Sequence, residues 1–495
     1  IAMGIEIDQT EFSEQDFLGF RRCLEENIQA LGELLQRPGF GEGPGSLGAE
    51  LEMYIVDSEG YPLYANQEIL EDANDPSLTL ELNRYNLEFN LPPFALGERA
   101  FESTEQTIVD SVLRLGKVAA QRGGRIVPIG ILPTLRQTDF GSHCITDRRR
   151  YHALVKQLIE RRGGRFHIDI NGAEPLKLAM QDITLEGANT SFQVHYRVTP
   201  QAYADTFNAI QLMTPLALAL AANSPGLFGH SLWQETRIPL FKQSIDTRHV
   251  DPYGWNEPAR VSFGQGWARK GAEELFREVV RIYPPLLPLR NGSTAAEEIA
   301  AGKVPSLAEL RLHQSTVWLW NRPIYDDLDG GHLRIEMRAL PAGPSAVDMV
   351  ANAAFLIGAA EGIRPQLDSL LPAIPFHNAE YNFYRAAQHG LDAQLVWPEL
   401  DQSGFREQAI TDVIARMLPV ARAGLFSIGV SSTEIDRYLR VIEERLESGQ
   451  SGAVWQRRKL EQLKRKMSAE HARHELLENF IGLSADNLPV AQWPV

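Results

Sequence analysis

Four short stretches alternate apolar residues with residues able to do chemistry. In Gly48-Ala49-Glu50-Leu51-Glu52-Met53-Tyr54 the chemical residues are Glu50 and Glu52. A strand turns successive side chains to opposite faces, so both glutamates point one way while Leu51 and Met53 point the other. In Leu87-Glu88-Phe89-Asn90-Leu91 the polar pair is Glu88 and Asn90, with Glu81 just upstream. Ser191-Phe192-Gln193-Val194-His195-Tyr196-Arg197 presents Gln193, His195 and Arg197, and Leu333-Arg334-Ile335-Glu336-Met337-Arg338 presents Arg334, Glu336 and Arg338. Any one of these, alone, reads as a half-solvated antiparallel strand with its charges in water. Their conjunction reads differently. Glu is a poor strand former, yet it stands mid-strand in three of the four. Gathered carboxylates raise one another's pKa unless cations sit between them. Mg²⁺ and Mn²⁺ prefer oxygen ligands with an occasional imidazole, and a guanidinium fork suits phosphate oxygens. Carboxylates, one histidine and several arginines on one face therefore look like a nucleotide-phosphate site bridged by metals.

The elements that must position these residues follow from periodicity and breakers. Residues 11–37 carry apolar positions at helical spacing and end near Pro38-Gly39. Strands are expected at 49–56, at 87–91 (stopped by Pro92-Pro93), at 125–132, at 191–198 and at 332–340. Helices are expected at 102–122, 147–162, 201–222 and 345–361, with a long irregular stretch to about 270 and a nearly all-helical chain after about 375. Strands scattered among helices, rather than strict β-α-β alternation, favour an α+β fold with an antiparallel sheet. The Gly43-x-Gly45-x-x-Gly48 run is not a dinucleotide fingerprint, because it precedes a strand instead of following one. No residue pattern explains the segment 163–187.

Composition narrows the classes. Hydrophobic residues are 44% and charged residues 23% of the 495, ordinary for a protein with a sizeable core. No run approaches the roughly 18 unbroken apolar residues of a membrane span, and the acidic opening with Glu6, Asp8, Glu11 and Glu14 does not read as a signal peptide. A net charge of −16 argues against nucleic acid or an anionic membrane as a general partner. Two cysteines, Cys23 and Cys144, point to a reducing, cytoplasmic setting rather than a disulfide framework.

At Gly48-Ala49-Glu50-Leu51-Glu52-Met53, Gln193-Val194-His195, Ala221-Ala222-Asn223-Ser224-Pro225 with Arg237 downstream, and Arg334-Ile335-Glu336-Met337-Arg338-Ala339, the chain resembles the glutamate–cysteine ligase family. The likeness is to the branch of plant-type and YbdK-like carboxylate–amine ligases, and more distantly to glutamine synthetase. It runs from about residue 46 to 365. It implies a glutamine-synthetase-like antiparallel sheet funnel flanked by helices, with a catalytic domain over 1–375 that includes the N-terminal helix. A helical C-terminal extension would follow over 376–495. It implies ATP and Mg²⁺ (or Mn²⁺) as cofactors, a glutamate-like carboxylate and an amine such as cysteine as substrates, and a place in glutathione biosynthesis. By motif, Glu50, Glu52, Glu88 and Glu336 would be metal ligands, with Glu81 a looser match. His195 would be a ligand or phosphate contact, beside Gln193 and Arg334 in the nucleotide site, and Arg338 and Arg237 would hold phosphoryl oxygens. The family's Ser-x-Arg appears here as Glu235-Thr236-Arg237, and its Arg-Tyr pair for the substrate carboxylate as Arg150-Tyr151. An ATP:guanidino phosphotransferase on the same scaffold and a catalytically silent relative are the alternatives. Homo-oligomerisation is left open.

Two further features are weighed. Ser262–Trp267 reads as an ordinary surface loop, with a lid as the functional alternative. The charged run Arg457–His474 reads as a solvent-facing helix rather than a partner site, and His471 and His474 as surface residues.

Overall fold

The computed structural model describes residues 10–249, 254–398 and 406–495. Its centre is a seven-stranded antiparallel sheet made of β1 (Ser46–Val56), β2 (Leu78–Leu80), β3 (Asn86–Ala95), β4 (Arg125–Val127), β5 (Phe192–Val198), β6 (Asn321–Asp326) and β7 (His332–Met337). The order is β6-β7-β5-β1-β3-β2, with β4 pairing the far end of β1 where β5 has left it. The register sets the chemical residues side by side. Glu50 lies opposite Gln193 on one side and Asn90 on the other, Glu52 opposite Glu88, His195 opposite Glu336, and Glu336 opposite Arg322. Directly paired residues share a face, so one polar row crosses β6, β7, β5, β1 and β3.

The other face carries Leu51, Met53, Leu87, Phe89, Val194, Ile335 and Met337, all buried in one apolar core with the helices. Those helices include α1 (Glu14–Leu35), α2 (Ala100–Ala120), α3 (Arg149–Arg162), α4 (Tyr203–Ala221) and α5 (Ala346–Ile363). α4 and α5 are buried almost all round, as helices without a polar stripe must be. One helical stretch among the described residues, Ala346–Ala373, is long and apolar enough to cross a membrane, and it is packed inside the protein.

The C-terminal part joins the same core. α6 (Ile410–Ser427) lies against α5 at backbone contact, because Gly358, Gly362 and Gly424 face one another. From α7 (Ser432–Ser448), the buried Arg445 reaches the Asp348 carboxylate at 2.7 Å and Asn352 Oδ1 at 2.5 Å on α5. α8 (Gly452–Lys464) and α9 (Ala469–Ala485) close the chain. Cys144 is buried, Cys23 half-buried, and both are free thiols.

Several expectations are corrected. β3 does not stop at Pro92-Pro93. The prolines sit opposite Gly48, where the ladder skips a position, so no N–H is asked of them. The strand at Asn321–Asp326 was not expected, nor the hairpin Phe166–Ile170/Leu176–Met180 inside 163–187. The region expected to be helical after 375 contains the hairpin Gln394–Trp397/Arg406–Ala409. Ser262–Trp267 is not a surface loop. Val261-Ser262 pairs with Trp318-Leu319, Phe263 stacks between Phe376 and Phe383, and Trp267 Nε1 donates to Ile374 O at 3.1 Å.

Candidate active site

The polar row resolves into two clusters. In the first, His195 from β5 stands between the carboxylates of β1 and β7. Its Nε2 is 3.2 Å from Glu50 Oε1 and 3.6 Å from Glu336 Oε1, and ligand atoms of all three lie within 4.8 Å of one another. In the second, Glu52, Glu81 and Glu88 bring their carboxylates within the same 4.8 Å. All the metal-ligand candidates read from the sequence are therefore gathered, three to a cluster. Each cluster leaves buried polar atoms without an aligned hydrogen-bond partner: His195 Nε2 in one, Glu81 Oε1 and Glu88 Oε2 in the other. Buried carboxylates and an imidazole with unspent lone pairs are the donor set of a hard divalent ion, so the residues fit Mg²⁺ or Mn²⁺.

Arginines and one amide stitch the clusters together. Arg322 of β6 grips Glu336 with a fork, Nε to Oε2 at 2.7 Å and Nη2 to Oε1 at 3.1 Å. Arg338, just beyond β7, is 3.2 Å from Glu336 Oε2 and donates to Gln193 Oε1. Gln193 Nε2 in turn donates to Glu52 Oε1 at 2.8 Å, and the Ser191 N–H donates to Glu52 Oε2 at 2.7 Å. Gln193 is thus the bridge between the two clusters. Arg334 is held by Asp326 (2.8 Å) and approaches His195 Nδ1 at 3.4 Å.

Electrostatics divides the carboxylates. Burial alone would raise every one of them. At Glu336 the guanidinium groups of Arg322 and Arg338 overcome it and hold the carboxyl well below the usual range. At Glu50 the neighbouring His195 does the same more weakly. In the second cluster burial wins. Glu88 is pushed up to about 8 by burial with Glu50 and Glu52 adding to it. Glu81 is raised well above the usual carboxylate range by burial and by Glu88 and Glu52, and Glu52 is raised by burial despite Arg338 and Arg237.

A cavity opens on the first cluster, bounded by Glu50, His195, Glu336, Arg322 and Arg334 and continuing over Ile324, Tyr325 and Phe276. Charged groups at one end and an aromatic-aliphatic wall at the other suit a phosphorylated ligand with a flat ring. Arg150 is brought near it, its Nη2 3.4 Å from Ser315 Oγ in the cavity wall. Its neighbour Tyr151 instead faces the second cluster, donating to Leu80 O beside Glu81, whose charge it feels. Arg237 is not brought to the first cluster. It is buried behind Arg338, with Nη1 donating to Ala339 O at 3.0 Å and Nη2 to Arg338 O at 3.5 Å. The departure Glu235-Thr236-Arg237 has a structural use: Glu235, fully buried, accepts from Asn223 N at 3.2 Å and from the Ser224 hydroxyl.

Two residues of the site went unread in the sequence. Arg322 lies on a strand interrupted by Pro323, which argues against a strand until β6 is seen to be the sheet's edge. The turn Asp329-Gly330-Gly331 before β7 was the available signal for that hairpin. Glu186, in the 3₁₀ turn Thr184–Ala188, is pushed up to about 8 by burial and by Glu52. Nothing in its local sequence marks it.

The sequence model of glutamate–cysteine ligase family 2 (GCS2) matches residues 46–478. The chain belongs to this family. It is accordingly an enzyme, a carboxylate–amine ligase of the glutamate–cysteine type. No curated protein matches it in sequence. Among solved structures it is similar to the glutamate–cysteine ligase of Francisella tularensis in complex with AMP, at a TM-score of 0.55 and 12% identity, over 92% of this chain and 91% of that one. It is also similar to a bifunctional glutathione synthetase from Pasteurella multocida, at 0.51 and 12%, over 93% of this chain but 55% of that longer one. At such identity the likeness carries the fold, and the fold is the expected glutamine-synthetase-like α+β sheet of the GCS2 ligases.

Proposed function

We propose that this GCS2 ligase is ATP- and Mg²⁺-dependent and joins a glutamate-like carboxylate to an amine through an acyl phosphate. The observation that carries the reading is the pair of three-ligand clusters on one sheet face, linked by Gln193 and Arg338. Glu50, His195 and Glu336 would hold one divalent ion, and Glu52, Glu81 and Glu88 another. Ions bound there would neutralise phosphoryl oxygens and supply the charge stabilisation that phosphoryl transfer chiefly needs.

The chain's own residues do the rest. The Arg322 fork fixes Glu336 in one rotamer, so its carboxylate is preorganised rather than recruited. Arg338, placed between Glu336 and Gln193, presents a guanidinium to phosphoryl oxygens, while Arg237 positions the Arg338 backbone. The buried, polar floor limits water, which an acyl phosphate needs in order to survive until the amine attacks. Arg150, near the cavity wall, supplies a cation for a substrate carboxylate. The AMP of the Francisella ligase structure supports the choice of an adenine nucleotide.

The test is phosphate release from ATP and Mg²⁺ with glutamate against a panel of amines and amino acids. Release that requires both glutamate and an amine supports the reading. Transfer of phosphate to a guanidino compound without phosphate release would replace it.

A further inference from the structure

The charged run at the C-terminus is not simply a solvated face. Its cations converge from two helices: Arg457 and Lys464 on α8 and Arg473 on α9 border a second cavity, separate from the catalytic face. The floor is apolar, formed by Ile131, Leu227, Leu460 and Leu476. Among the described residues, Lys464 and Arg473 make no ion pair, on a chain whose net charge is −16. Arg457 is half-buried. It spends one terminal nitrogen on Leu232 O, and its Nε is buried without a partner. One carboxylate, Glu174, also lines the wall; it accepts from the Ser231 N–H at 3.0 Å and makes no ion pair with the three cations. The Glu461 and Asp392 charges act on Arg457 from outside the lining.

The wall is also preformed. Gln456, buried in the lining, donates to Asn223 Oδ1 at 2.8 Å, and Asn223 donates to Ala342 O at 2.8 Å. The hairpin Gly226-Leu227/His230-Ser231 closes one side, with Gly229 at φ +82 packed under the Arg473 guanidinium. Three cations against one carboxylate leave the lining net positive, and like charges gathered there cost free energy that a bound anion would recover.

We propose that this cavity is a second, non-catalytic binding site for a small organic anion: a carboxylate or phosphate group on the Arg457–Lys464–Arg473 rim, with an apolar body on the leucine floor. The pairing of a few fixed polar groups with an apolar floor is the usual make-up of a small-molecule site.

Phenyl phosphate is the probe, with inorganic phosphate and benzyl alcohol as anion-only and apolar-only controls. Binding is measured by calorimetry on the full chain with the catalytic cavity saturated by ATP and Mg²⁺, since that cavity also suits a phosphorylated ring. The wild type is expected to bind phenyl phosphate at least tenfold more tightly than either control. Lys464→Ala/Arg473→Ala is expected to weaken that binding at least tenfold, and Arg338→Lys, in the catalytic face, to leave it unchanged. Lys464 is exposed and Arg473 half-buried, and neither side chain makes a hydrogen bond or ion pair among the described residues, so folding and turnover stay at the wild-type level. Binding that survives the double variant, that is lost with Arg338→Lys, or that is absent altogether overturns the proposal.

Discussion

At the residue scale, the site divides its carboxylates into two kinds, and variants should separate them. Glu336 is clamped between Arg322 and Arg338, so Glu336→Gln leaves two buried guanidinium groups short of a partner. The expected cost is about 3–5 kcal/mol of stability along with loss of turnover, measured by denaturant unfolding. Glu88 is the reverse case. It is buried beside other carboxylates and pushed up to about 8, so Glu88→Gln should stabilise the metal-free protein by on the order of 1 kcal/mol at pH 8 while abolishing turnover. A Glu88→Gln protein that is both less stable and fully active would deny the cluster its role. The same asymmetry has a pH signature. Between the ordinary carboxyl value of 4.5 and about 8, the folded metal-free chain holds protons at Glu88 and Glu186 that the unfolded chain has released. Stability therefore falls as pH rises through that window. Mg²⁺ should reverse the trend, raising Tm more at pH 8 than at pH 6 and releasing protons as it binds. A Tm increment independent of pH would contradict this.

At the scale of elements, period-2 alternation made β1, β3, β5 and β7 legible, because each buries one face and keeps the other for chemistry. Those strands brought Glu50, Glu52, Glu88, His195 and Glu336 with them. What alternation could not reach was β6, whose proline disguises an edge strand, and with it Arg322, the strongest single contact to Glu336. Glu186 was illegible for another reason: it comes from a 3₁₀ turn, where no periodicity tells which way a side chain points. The packing of α6 on α5 was equally hidden, since it depends on glycines in two helices far apart in sequence. A Cβ on Gly358 would meet Ala421 O at 2.6 Å, and one on Gly424 would strike Gly358 O. Gly424→Ala is expected to cost about 1–3 kcal/mol by forcing the helices apart. An unchanged unfolding midpoint would show that the two helices tolerate separation.

At the scale of the whole molecule, the sheet serves two purposes through one alternation. Its apolar face anchors helices from both halves of the chain, and its polar face concentrates carboxylates that repel one another unless cations are supplied. The C-terminal helices are tied to that frame by Arg445 on Asp348 and by Gln456 on Asn223. The fold thus stores unfavourable charge in one place and holds it there with packing elsewhere, the arrangement expected where function sets the local sequence. The most direct test is a count of bound Mn²⁺ by electron paramagnetic resonance on the full chain with ATP. Two ions per chain are predicted for the wild type, falling to one in Glu50→Gln and to one in Glu88→Gln. A wild-type chain that binds none, or a count of two kept in both variants, would contradict the two-cluster account.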